Sequence, residues 1–259
     1  MKNSTLIIFI IFYQILFLNK SFSNEIEFNA SEIEITNNQN LTVANNAVAT
    51  IKDDGVIIEG VKIEYFKDRS LIIVYNGKIS KIDNSLTINS DIFEYSIDEG
   101  KLDFVNNVYI KDKKNNLVIY SDKINYDINN QIIFGQGSSK ILDEFNNTYD
   151  VSQFEYSAKN RIIKLSSTKV FDKNENTIDL EIAYLDLIKK ELVAKDIGLN
   201  FKISENSENE PRLKGRSLVS DENNTIVKKG TFTFCKKREK CPPWEMRADE
   251  IKHDKNKQI

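Results

Sequence analysis

An apolar motif returns along this chain about every 30 residues, and that periodicity restricts the possible folds more than any other feature. ASEIEI (30–35), GVKIEY (60–65), SDIFEY (90–95), SDKINY (121–126), SQFEY (152–156) and LEIAY (180–184) fall into register. Their closing residues Ile35, Tyr65, Tyr95, Tyr126, Tyr156 and Tyr184 stand 30, 30, 31, 30 and 28 residues apart. Within the copies apolar residues alternate with polar ones, as in Ile33 with Ile35, Ile63 with Tyr65, Phe93 with Tyr95 and Ile124 with Tyr126. A period of two places such residues on one face of a strand, not along one side of a helix.

After each closing residue come turn formers such as Asp98-Glu99-Gly100 or Asn129-Asn130, then a second apolar run such as LIIV (71–74) or LDFV (102–105). Asn46, Asn76 and Asn106 interrupt that second run at intervals of 30, and Asn tolerates the left-handed backbone that a bulge or bend requires. Each unit therefore reads as two strands, the second one bent. Six units give about a dozen strands whose connections are too short for parallel crossovers, so neighbours pair antiparallel. A sheet of that width curls or folds over with its apolar face inward. The expected fold is all-β, an elongated antiparallel jelly roll over residues 24–203. A right-handed parallel β-helix also repeats, but two strands and two turns in 30 residues suit a meander better.

The flanks read differently. Met1 and Lys2 precede LIIFIIFYQILFL (6–18) and then Ser21-Phe22-Ser23, the layout of a secretory signal over residues 1–23. Its apolar run, about 13 residues, falls short of the roughly 20 needed to span a bilayer. Its removal takes Lys2 and Lys20 and leaves 34 basic against 39 acidic side chains, which gives no electrostatic reason to bind nucleic acid. Residues 204–229 lose the alternation and gain charge, as a linker would. Residues 230–259 then hold both cysteines, the one Trp, the one His and two of the three prolines, marking a separate junction.

No reaction class finds its parts in this sequence. G-x-S-x-G, the P-loop and G-x-G-x-x-G are absent. Asp53-Asp54-Gly55 sits where the repeat requires a turn, which is a better reading than a metal carboxylate pair. Cys235, Cys241 and His253 lack a fourth ligand and the C-x-x-C spacing of a zinc site. The expectation is a binding protein with no catalytic residue, metal or cofactor.

Units reading S-D-x-I-x-Y, then a bent strand, then Val108-Tyr109-Ile110-Lys111-Asp112, resemble the OstA-like domain of the periplasmic proteins that carry lipopolysaccharide to the outer membrane. Gly230, Phe232, Thr233, Cys235, Cys241, Pro242, Pro243, Trp244, Arg247, Ala248, His253 and Asp254 resemble the segment that joins jelly roll to barrel in the outer-membrane lipopolysaccharide-assembly (LptD) family of Gram-negative bacteria. The resemblance implies a V-shaped roll holding lipid A acyl chains in an apolar groove. Its lining would be Ile33, Ile35, Ile63, Tyr65, Phe93, Tyr95, Ile124, Tyr126, Phe154, Tyr156, Ile182 and Tyr184, residues that would equally suit a closed core. The implied partners are lipopolysaccharide, a periplasmic jelly-roll bridge protein added strand to strand, and a barrel with its lipoprotein plug. The implied location is the periplasmic face of the outer membrane. In that family a barrel follows the junction, so the chain ending at Ile259 reads as the N-terminal part of such a protein.

Exported cysteines meet oxidising conditions, so Cys235 and Cys241 are expected in disulfides. A local bridge would close a loop of only five residues, and disulfide-linked dimers are the other outcome for this chain alone. The resemblance implies instead that each pairs with a cysteine far downstream in the barrel. Two other readings stay open: a free-standing periplasmic bridge protein with the same repeats, and an exported adhesin or structural repeat protein with polar ladders on both faces.

Overall fold

A computed structural model describes residues 26–36, 38–172, 175–202, 210–235, 244–255 and 257. The expected signal peptide, Cys241, Pro242 and Pro243 lie outside the described residues. The first six units form β1 (Ile26–Thr36), β2 (Leu41–Ile51), β3 (Val56–Phe66), β4 (Leu71–Lys81), β5 (Leu86–Ser96), β6 (Lys101–Asp112), β7 (Leu117–Asp127), β8 (Ile132–Leu142), β9 (Thr148–Ser157), β10 (Ile162–Phe171), β11 (Thr177–Asp186) and β12 (Glu191–Asn200). Three more follow: β13 (Glu210–Ser220), β14 (Asn224–Cys235) and β15 (Met246–Asp254).

Among the described residues these fifteen strands make one open sheet, each strand antiparallel to its neighbours in chain order. The meander is the one the short connections required, and it rules out the parallel β-helix. Its turns alternate between two margins. Turns β1–β2, β3–β4 and onward to β13–β14 lie on what we call the upper margin; turns β2–β3, β4–β5 and their successors lie on the lower.

Every even-numbered strand bends at its middle through a residue of positive φ. Asn46 (45°), Asn76 (45°) and Asn106 (64°) are the three the spacing predicted; Gly137 (91°), Ser167 (47°), Asp196 (53°) and Lys229 (50°) continue the series in β8, β10, β12 and β14. The bends align across the sheet and separate an upper half from a lower half. At each bend the inward positions change phase. Along β9 the buried residues are Tyr149 and Val151, then Phe154 and Tyr156; along β11 they are Leu180, then Ala183 and Leu185. An unpaired residue at the bend flips the succeeding side chains to the other face, so strict alternation holds only within one half.

Two expectations need correction. Residues 204–229 are not a linker, because β13 and the start of β14 occupy much of them, β13 pairing in register with β12 and β14 with β13. The phase change hides their pattern, since Leu213 and Leu218 are buried five positions apart. Residues 246–254, expected as part of a separate junction, form β15 and pair with β14 from Asn224↔Asp254 to Phe232↔Met246.

Candidate functional site

Register links inward residues into rows that cross the whole sheet. One row of the upper half runs Ile33, Ala44, Ile63, Val74, Phe93, Phe104, Ile124, Gly135, Phe154, Leu165, Ala183, Ala194, Leu218, Val227, Ile251. No polar side chain enters it on any strand. The glycine is required by size: a Cβ at position 135 would stand 2.1 Å from the Phe154 ring, which fills that space. Phe93 and Phe104 pack with ring centres 5.0 Å apart. A second upper row, nearer the margin, places Tyr65, Tyr95, Tyr126 and Tyr156 on β3, β5, β7 and β9, with Ile72, Leu102, Ile133 and Ile163 on the strands after each. The lower half carries its own row, including Ala49, Ile58, Ile79, Ile88, Ile110, Ile119, Ile141 and Tyr149, all buried.

Side-chain contacts show that the halves face each other. The Tyr95 hydroxyl donates to the Asp54 carboxylate, although Tyr95 stands at the upper margin and Asp54 in the β2–β3 turn of the lower one. Tyr156, also upper, donates to Asp112 at the lower end of β6 and accepts from Asn115 Nδ2 at 2.7 Å. Lys190 of the β11–β12 turn pairs with Glu144 at 3.2 Å in the β8–β9 turn and sits 5.2 Å from the Phe145 ring centre. The sheet is thus folded along its bends, and its margins meet in a seam. Each crossing reaches back about three strands, so the seam runs obliquely.

The seam tyrosines are buried, and their protonation follows. Burial first, then the hydrogen bond and charge of Asp54, hold the Tyr95 phenol far above its ordinary pKa. Tyr156 is raised in the same way by burial and Asp112. Tyr126 is pushed up to about 12 by burial and then by the charges of Asp127 and Asp112. All are neutral donors at any physiological pH.

Of the predicted lining, Ile63, Phe93, Tyr95, Ile124, Tyr126, Phe154 and Tyr156 are buried in this interior and Tyr65 is half-buried. Ile33 and Ile35 share its rows but are 47% and 61% exposed, because none of the described residues covers the upper half of β1. Ile182 and Tyr184 are on the wrong face: both are exposed on the outer surface, while Ala183 and Leu185 take the inward positions. Aligning LEIAY on its Tyr set the sixth unit one residue out of phase. Cys235 is buried at the end of β14. Repeat matching missed the even strands, whose Val74, Phe104 and Leu165 complete the row, and the seam carboxylates, which look like ordinary turn residues. Among the described residues no cluster of three or more His, Cys, Asp or Glu is placed to hold a metal.

No family model matches the chain, and no curated protein matches it. Among solved structures it is similar to LptH of Pseudomonas aeruginosa, described as the LptA-homologous periplasmic component of the conserved lipopolysaccharide transport device. The identity is 12%, over 56% of this chain and 84% of that one, with a TM-score of 0.24.

Proposed function

We propose that this protein shelters the acyl chains of lipopolysaccharide between the two halves of its sheet and passes the lipid along the periplasm toward the outer membrane. The observation that carries the reading is the seam. An apolar interior that runs across the middle strands of the sheet is closed along one side by side chains such as Tyr95, Tyr156 and Lys190, where a closed barrel would have a backbone ladder. Such a closure can open without unpairing a strand. Burying an acyl chain of about twelve methylenes is worth on the order of 10 kcal/mol at ~0.8 kcal/mol per CH₂. Each seam hydrogen bond that must open costs about 1–3 kcal/mol, so the exchange favours entry. The OstA-like repeats and the junction motif around Cys235 and Trp244 support the same assignment and its LptD-type form, with a bridge protein joining at a sheet edge. The free-standing bridge protein is the second reading, favoured by the way β13–β15 continue the sheet without a break. A structural or adhesive repeat protein would carry polar ladders on both faces, and the inner rows here are apolar.

Photo-crosslinking amino acids at Phe93, Ile124 and Phe154, on the inner face, are expected to capture lipopolysaccharide in cells. Those at Glu94 and Asn125, on the outer face, are expected not to. Equal labelling of the two faces would remove the reading.

A further inference from the structure

Tyr126 differs from its neighbours along the seam. It stands two strands from Tyr95 on one side and two from Tyr156 on the other, in the same row, and is 3% exposed. Tyr95 and Tyr156 reach carboxylates of the opposite margin, whereas the Tyr126 hydroxyl is buried with no hydrogen-bond partner among the described residues. The repeat explains the difference. The lower turn between those two partners is β4–β5, and its Asp83 is turned onto Ser85, accepting from the backbone N–H at 3.0 Å and from Oγ at 2.6 Å. A buried hydroxyl left unpaired is destabilising, and in a native fold it calls for a partner.

We infer that the Tyr126 hydroxyl is the polar contact of the groove, donating to the carbonyl of the ester or amide that joins an acyl chain to its sugar. This rests on the acyl-carrier reading above. The position suits a linkage: the Phe93 and Phe154 row lies on the interior side, the margin and solvent on the other, so a chain inside and a sugar outside put the carbonyl between them. The charge of the seam selects the linkage over the phosphates of the same lipid. Asp54 and Asp112 stand beside the neighbouring tyrosines, and Asp127 adjoins Tyr126, so an anion here meets carboxylates while a neutral carbonyl does not.

The test uses the purified full chain and two probes, N-dodecanoylglucosamine and 2-O-dodecylglucose, a neutral ether of the same length that lacks the carbonyl. Wild type is expected to bind the amide about five- to ten-fold more tightly than the ether. Tyr126→Phe is expected to bind both alike, at the affinity wild type has for the ether, and to melt at a higher temperature than wild type without lipid. An unchanged amide preference in Tyr126→Phe, or a lower melting temperature of that variant, would overturn the inference and leave the carrier reading standing. If wild type binds neither probe, both readings fall.

Discussion

Ile33 and Ile63 occupy the same row, on the same face, two strands apart, yet one is 47% exposed and the other fully buried. Their chemistry is identical; the roof above them is not. In the middle of the sheet each half is covered by the other, whereas among the described residues the upper half of β1 has no lower half opposite it. Row membership is a property of the strand, and burial is a property of the fold three strands away.

The largest expected effect separates the two regions directly. Phe93→Ala removes a ring packed on Phe104 and should cost about 3–5 kcal/mol, while Ile33→Ala should stay within about 0.5 kcal/mol. Urea unfolding of the pair measures both, and a cost at Ile33 near that at Phe93 would mean that β1 is covered after all. Gly135→Ala tests the tightness of the centre, because its methyl group must displace Phe154; about 1–3 kcal/mol is expected.

The seam comes next. Tyr156→Phe takes a donor from Asp112, which is itself buried, and should cost about 1–3 kcal/mol, against nearly nothing for Tyr120→Phe on the outer face. The same tyrosines set an alkaline limit. Burial raises the phenols of Tyr95, Tyr126, Tyr149 and Tyr156, whereas an unfolded tyrosine ionises near pH ~10. The stability they add is complete below pH 10 and is lost as the pH climbs toward about 12, where Tyr126 itself ionises. Urea midpoints at pH 8 and at pH 11 should show a fall that shrinks when Tyr95 and Tyr156 are both Phe. The smallest effect belongs to the third crossing. Lys190 and Glu144 are both about one-third exposed, so Lys190→Met should cost no more than about 1 kcal/mol, and less in high salt.

The sequence displayed the fold through its period. Tyr65, Tyr95, Tyr126 and Tyr156 recur because one row of one face recurs, and Asn46, Asn76 and Asn106 mark the bends because Asn accepts positive φ at low cost. Where Gly137, Ser167, Asp196 and Lys229 take over that task, residue identity no longer announces it. The phase change at the bend then misled the reading of Ile182 and Tyr184 and concealed β13, whose Leu213 and Leu218 lie on either side of it. The seam was illegible for another reason. Tyr95 meets Asp54 across 41 residues, and Tyr156 meets Asp112 across 44, through a folding of the sheet that no local pattern encodes.

The oblique seam also gives the molecule a direction. Because each upper half is roofed by a lower half about three strands earlier, the described strands run out of roof differently at their two ends. At β1 the uncovered part is the upper half, with Ile33 and Ile35, while Phe28 below lies 6.3 Å from the Tyr65 ring. At β15 it is the lower half, where Met246 is 58% exposed and Phe232 lies between Phe201 and Trp244. The overhangs are opposite in kind, like the two faces of a scarf joint. Among the described strands the residues left uncovered at the two ends come from opposite margins of the sheet, the upper one at β1 and the lower one at β15.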